Sequence, residues 1–381
     1  MIVSGAWIDE PATQRVCAAL TQNGYQALFV GGCVRNALLA TAVSDIDIAT
    51  DAHPEETIRC AEKAGLQAIP TGIDHGTITV VSDGIAHEIT TFRSDVETDG
   101  RHAEVRFSKS VEEDAARRDF TMNAIYARPD GSVLDPLNGL PDLEARHVRF
   151  IGDAQERIRE DYLRSLRFFR FTAWYGDPAL GIDREGLAAV AENLEGLEGL
   201  SRERVGAELK KLLGAHDPSI AVASMRSAGV LGAVLEGADD RYLAPLVHHE
   251  TSLGRAPNAI RRLAILAEPN DEDTLRLSKV ERKQWAILRD ELGTMKSAAH
   301  LGYLYGADIA IDVLMLRASL FEQPVALDTV SESNKGDSAK FPIKAADLPD
   351  LSGRALGEKL KQLEADWITS DFSLSREELL G

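Results

Sequence analysis

The chain has 381 residues with 42 Lys+Arg against 61 Asp+Glu, a formal charge of −19, and 44% hydrophobic residues. Its length and apolar content exclude global disorder and predict two or three domains with buried cores, while the acidity argues against sequence-independent gripping of a polyanion. No apolar run reaches the ~20 residues of a membrane span, and Met1 to Glu10 hold no basic segment followed by an apolar one, so a cytoplasmic protein without a membrane partner is expected.

In chain order, β-branched runs predict strands at 27–30, 46–49, 77–81, 86–91 and 104–107, with helices over about 33–40 and, Pro54 in its first turn, 54–64. This mixed unit should occupy residues 1–144. Beyond it, apolar residues recur every three or four positions and predict an all-helical remainder, divided into 145–235 and 236–381. Breaks fall near 176–181, 196–201, 237–240 and 331–349, the last reading as a surface loop rich in Ser, Lys, Asp and Pro. Cys17, Cys33 and Cys60 form no CxxC pair and should be buried free thiols. Positive charge is concentrated: residues 145–170 hold seven arginines against four acids.

Several segments carry chemistry. The first strand enters its helix through Gly31-Gly32, where backbone amides can approach a phosphate and Arg35, one turn on, can add a charged fork. In Asp45-Ile46-Asp47, strand alternation places both carboxylates on one face and turns Ile46 and Ile48 to the core. Adjacent carboxylates repel unless a cation lies between them, and such oxygen ligands suit Mg²⁺ completed by substrate phosphates. A tight turn and a solvated strand edge would explain either feature alone; their sequence proximity favours the metal reading. Glu88, on a strand predicted to neighbour Asp45 and Asp47, is a candidate third carboxylate, against a plain surface pair with Arg93.

Arg118 offers a planar donor fork for a triphosphate or ribose, and Asp119 and Asn123 stand four apart on a predicted helix. A single helix is predicted through Glu160 to Phe171, with Tyr162, Leu163, Leu166 and Phe169 within a ~120° arc and Asp161 and Arg164 opposite. A carboxylate can accept from the exocyclic amine shared by cytosine and adenine while a guanidinium donates to the adjacent ring atom. By spacing alone an ordinary i,i+3 ion pair between Asp161 and Arg164 is the favoured reading. Arg167 continues the stripe towards phosphate. Arg170, about half a turn from Asp161, would reach triphosphate or RNA from elsewhere. Ser201 is a plausible N-cap before Arg204, on a helix expected to support the Asp161 helix.

Taken together, Gly31-Gly32-x-Val34-Arg35, Asp45-x-Asp47, Arg117-Arg118-Asp119-Phe120-Thr121-Met122-Asn123-Ala124 and Asp135-Pro136-x-x-Gly139-x-x-Asp142-Leu143 resemble, in one order, a known family. It is that of the polymerase-β-like nucleotidyltransferases, specifically the bacterial-type (class II) tRNA nucleotidyltransferases and their poly(A) polymerase relatives, over about residues 25–215. Asn36 stands where the family usually has Asp, and Ala40 where it usually has Gly. The resemblance implies an α+β fold: a nucleotidyltransferase head with a small mixed sheet, then helical neck, body and tail. It implies two Mg²⁺ ions on Asp45 and Asp47, with CTP and ATP as substrates and attack of a tRNA 3′-hydroxyl. Glu160, Asp161 and Arg164 would form the ED-x-x-R template for choosing CTP and ATP, with Arg170 included in the motif. The product would be C, C and A added to tRNA held at its acceptor stem and elbow, with no obligate protein partner. It also implies a flexible loop over 94–103, with His102-Ala103 where the family often has Arg-Pro. Alternatives are a poly(A) polymerase or A-adding enzyme of the same family, a small-molecule nucleotidyltransferase, and a non-catalytic RNA-binding protein on the same fold.

Overall fold

The structure is a computed structural model and describes residues 1–95, 105–268 and 275–381. The chain forms two compact units, one of Met1–Glu208 with Ile220–Val234, the other of Leu209–Ser219 with Leu235–Gly381.

In the first unit, β1 (Leu28–Val30), β2 (Asp47–Thr50), β3 (Gln67–Gly72), β4 (Thr77–Ser82), β5 (Ile85–Thr91), β8 (Tyr126–Ala127) and β9 (Val133–Leu134) build a seven-stranded sheet in the order β3-β4-β5-β2-β1-β8-β9. A separate ribbon pairs β6 (Arg93–Asp95) with β7 (Val105–Phe107). Among the described residues only β2 and β5 run parallel, with Asp47 opposite Glu88 and Ile48 opposite Ile89. The alternation that buries Ile48 and Ile89 therefore turns both acids to the other face. Leu28, Val30, Ala49, Phe92 and Tyr126 form one core cluster, with Pro54 opening the helix Pro54–Lys63 as predicted.

Three expectations need correction here. Asp45 is not on the strand: the β2–β5 ladder begins at Asp47, leaving Asp45 exposed before it and Ile46 half-buried. Strand β3 was not predicted because it is a largely exposed edge containing Pro70, so its sequence carries no alternating apolar signal. The predicted loop over 94–103 begins instead as strand at Ser94; its residues from 96 onward lie outside the described residues.

The second unit is helical. Its buried Arg261 and Arg262 share Glu250, and Arg261 also reaches Asp312 at 2.7 Å while Arg262 donates to the Leu213 carbonyl at 2.7 Å. Part of the loop expected over 331–349 is instead the helix Thr329–Ser338. Its polar composition hides a packing motif: an added Cβ at Gly336 would collide with the Ala299 backbone, and one at Gly302 with that of Ser333. Small residues here let two helix backbones touch. Gly336→Ala should lower stability by about 1–3 kcal/mol through overpacking. Gly357→Ala, in a helix with open space around that position, should not destabilise. Chemical-denaturant unfolding of both variants checks the contrast.

All three cysteines are buried and unpaired as predicted. Burial pushes the Cys17 thiol up to about 12 and Cys33 to about 11. Among the described residues, no helix is long and apolar enough to cross a membrane.

Candidate active site

Strand β1 passes into the helix Gly32–Leu38 through Gly31, whose φ of 70° lies in the left-handed region that suits glycine. A Cβ built on Gly31 would lie 3.8 Å from Arg118 Nη1 and 4.0 Å from Asp47 Oδ2. The glycine turn, a guanidinium and the first carboxylate of β2 thus converge. Burial, the facing Glu88 and Asp45 all raise the Asp47 carboxyl above its ordinary range, with Arg118 opposing them. Asp45 itself accepts from the Ser44 hydroxyl at 2.9 Å.

Among the described residues, no three His, Cys, Asp or Glu side chains converge as a ready-made metal cage. Glu88, the expected third carboxylate, stands opposite Asp47 on the neighbouring strand and acts on it through its charge. The donor set still fits Mg²⁺, which is commonly held by one or two carboxylates with waters and phosphates completing its shell. A cation beside Asp47 would also relieve the repulsion that raises its pKa.

Arg35 departs from its expected place among the phosphate ligands. It is 6% exposed, and its guanidinium donates to Asn36 Oδ1, to Asn123 Oδ1 at 2.6 Å and to the Tyr175 hydroxyl at 2.8 Å, lying 3.9 Å from the Tyr175 ring centre. Asn36 suits this arrangement, because its amide also donates to the Ala42 carbonyl at 2.9 Å, a bond a carboxylate could not make. Ala40 adopts φ 54°, where the glycine usual in the resembling family would be less strained.

Asp119 and Asn123 do meet, but not on an α-helix: Phe120 bridges to Phe150 and Thr121–Asn123 forms a 3-10 turn. Asn123 donates to Asp119 Oδ1 at 2.9 Å, and Asp119 Oδ2 accepts from Arg167 Nε at 2.8 Å and Nη2 at 2.5 Å. Although burial opposes it, Arg167 and these hydrogen bonds hold the Asp119 carboxyl below its usual range. Arg35, Asn123, Asp119 and Arg167 form a continuous hydrogen-bonded chain behind the glycine turn.

The helix predicted through 160–171 is interrupted. Ala154–Glu160 ends at Asp161, which is extended (φ −153°, ψ 102°), and Leu163–Tyr175 starts anew. The Asp161 side chain takes the Leu163 amide at 3.1 Å, a local bond that competes with helix continuation. Leu163, Leu166 and Phe169 are buried as the helical wheel predicted. Asp161 and Arg164 are not paired with each other, which removes the plain ion-pair alternative. Asp161 Oδ2 accepts from Arg204 Nη2 at 2.7 Å. Arg164 is pinned by Glu160 at 2.5 Å and by the backbone carbonyls of Arg157 and Arg117.

Arg204 and Glu208 escaped the sequence reading as site residues. Both lie on the helix Arg202–Leu213, where Ser201 accepts from the Arg204 amide at 3.4 Å. Glu208 is 5% exposed and ion-paired with Arg170 at 2.9 Å, so Arg170 is turned to the protein. The available signal was the i,i+4 spacing of Arg204 and Glu208, which puts them on one face.

Two family models match the chain: the poly A polymerase head domain over residues 27–149, and the probable RNA and SrmB-binding site of polymerase A over 180–241. The mitochondrial CCA tRNA nucleotidyltransferase 1 of Homo sapiens is 33% identical over 94% of the chain and 87% of its own length. The CCA-adding enzyme of Geobacillus stearothermophilus is 41% identical over 74% of the chain and 63% of its own length. Among solved structures, the Bacillus stearothermophilus CCA-adding enzyme in complex with CTP aligns over 94% of this chain and 93% of its own, with TM-score 0.72 and 26% identity. The Thermotoga maritima CCA-adding enzyme complexed with tRNA shares the fold, with TM-score 0.72 over 100% of this chain and 97% of its own at 19% identity.

Proposed function

The chain belongs to the tRNA nucleotidyltransferase and poly(A) polymerase family, and we infer that within it the chain adds C, C and A to the 3′ end of tRNA from CTP and ATP, releasing pyrophosphate. The observation that carries the chemistry is the meeting of Gly31, Arg118 and Asp47 beside Glu88. Two Mg²⁺ ions on Asp45 and Asp47 would supply Lewis-acid activation of the tRNA hydroxyl and neutralise the triphosphate. The backbone amides of Gly31 and Gly32 bind the phosphates with Arg118. Asp47, fixed at the first rung of the β2–β5 ladder, orients the reacting centre. Arg35, buried behind the turn, holds its geometry through Asn123, Asp119 and Arg167. Asp161 and Arg164 read the base edge, Asp161 steadied by Arg204 and Arg164 by Glu160.

The proposal assigns chemistry to residues 1–144, base selection to 145–235, and the acceptor stem and elbow to 236–381, with action in the cytoplasm. The acidic surface fits an enzyme that holds one folded RNA by shape, since affinity for arbitrary RNA scales with phosphate contacts. The test uses tRNA transcripts ending at the discriminator base, at C and at CC, with labelled CTP and ATP. Three additions and a stop on the first transcript are expected. Continued adenylation would make the enzyme a poly(A) polymerase, and reaction of the CC transcript alone an A-adding enzyme.

A further inference from the structure

The guanidinium of Arg118 is divided between two directions. Its Nε and Nη2 donate to Asp114 Oδ2 at 3.3 and 3.0 Å, and Nε also reaches the Tyr126 hydroxyl at 3.1 Å. The Tyr126 hydroxyl itself donates to the same carboxylate oxygen at 2.7 Å. The other oxygen of Asp114 accepts from Arg117 at 2.6 Å and 3.0 Å. Asp114 is 1% exposed and Tyr126 fully buried. Among the described residues none takes a hydrogen bond from Arg118 Nη1, the nitrogen that faces Gly31 and the carboxylate of Asp47.

We propose that Asp114 and Tyr126 are positioning residues for the incoming triphosphate: they clamp Arg118 so that Nη1 points at the glycine turn beside Asp47. The inference rests on the nucleotidyl-transfer reading above and extends it to residues outside the glycine turn and the carboxylate pair.

Two physical arguments support the clamp. First, an arginine has many rotamers, and a guanidinium already fixed at two of its nitrogens loses little freedom when phosphate oxygens arrive. Second, Arg118 has two carboxylates within reach. Left alone it would be drawn onto Asp47 and would neutralise the charge needed for a metal ion. Asp114 Oδ2 engages both Nε and Nη2 of Arg118, and its other oxygen is held by Arg117. The guanidinium is thus paired to Asp114, leaving Asp47 to a cation.

The decisive variant is Tyr126→Phe in the full-length enzyme, which keeps the ring in the core and removes only the hydroxyl. KM for CTP and for ATP should rise together about fivefold, the inhibition constant of inorganic pyrophosphate should weaken by the same factor, and KM for tRNA should not move. Asp114→Asn should do the same more strongly, about tenfold or more, because a charged partner is lost. If that variant does not fold, Tyr126→Phe decides alone. A Tyr126→Phe enzyme with unchanged nucleotide KM and pyrophosphate inhibition overturns the proposal. So does one in which only kcat or the unfolding midpoint falls, because that is a packing defect. If the wild-type enzyme itself incorporates neither C nor A, the functional reading has failed instead.

Discussion

Asp47→Ala should abolish incorporation of both CTP and ATP, a loss of about 10³-fold or more, while the purified protein still binds tRNA. Asp47 is the acid for which the fold makes most provision. It starts the parallel β2–β5 pair, faces Glu88, and lies with Arg118 around the Gly31 turn. Burial first, and then the like charges of Glu88 and Asp45, raise its pKa, and a cation bound beside it would offset that repulsion. Asp47→Asn keeps the shape and removes the charge, so it should fail equally. Single-turnover assays with each labelled nucleotide, paired with a tRNA gel-shift measurement, separate the chemical defect from loss of folding. Turnover within tenfold of wild type in either variant would remove Asp47 from the metal site.

Arg164→Ala should act on choice more than on chemistry. In the structure Arg164 is pinned on the Glu160 carboxylate and on the backbone carbonyls of Arg157 and Arg117, so its plane cannot swing to suit a different base. On the proposed reading, Arg164 donates to the ring nitrogen of cytosine or adenine while Asp161 accepts from the exocyclic amine; uracil and guanine would set a ring N–H against the guanidinium and an oxo group against the carboxylate. One such contact is worth about 1–3 kcal/mol of discrimination. Preference for CTP over UTP, and for ATP over GTP, should therefore fall by about ten- to a hundredfold. The measurement is kcat/KM for all four nucleotides on matched tRNA ends. Unchanged preference with unchanged rates would show that Arg164 only ties the two helix segments together. Asp161 is held by Arg204 in the structure, and Arg204→Ala should relax selection in the same direction but less, because in the proposed scheme Arg204 acts only through Asp161.

The opening segments show what a sequence conveys well. The Gly31-Gly32 turn, the helix beginning at Pro54, the strand carrying Glu88 and the buried face of Leu163, Leu166 and Phe169 all rest on signals a few residues long. Short-range geometry dictates them, and the structure agrees. Where it differs, a longer-range effect intervenes. Asp161 breaks a helix that periodicity would continue, because its side chain takes a backbone amide and its other oxygen is claimed by Arg204, 43 positions away. The helix Thr329–Ser338 reads as a loop until Gly336 is seen against the Ala299 backbone.

From the sequence alone, the class of chemistry was legible in four motifs, the Gly31-Gly32 turn, Asp45-x-Asp47, Arg117–Ala124 and Asp135–Leu143, which resemble those of nucleotidyltransferases in one order. The sequence also determined the change from a mixed sheet to helices. Only the tertiary structure decided which charge meets which. Arg35, read from sequence as a phosphate ligand, is buried against Tyr175, 140 positions away; Asp114 and Tyr126, without a motif of their own, hold Arg118; and Arg170 belongs to Glu208. The reason is electrostatic. Buried guanidinium and carboxylate groups must each find a partner to offset desolvation, and that pairing is settled by the whole fold at once.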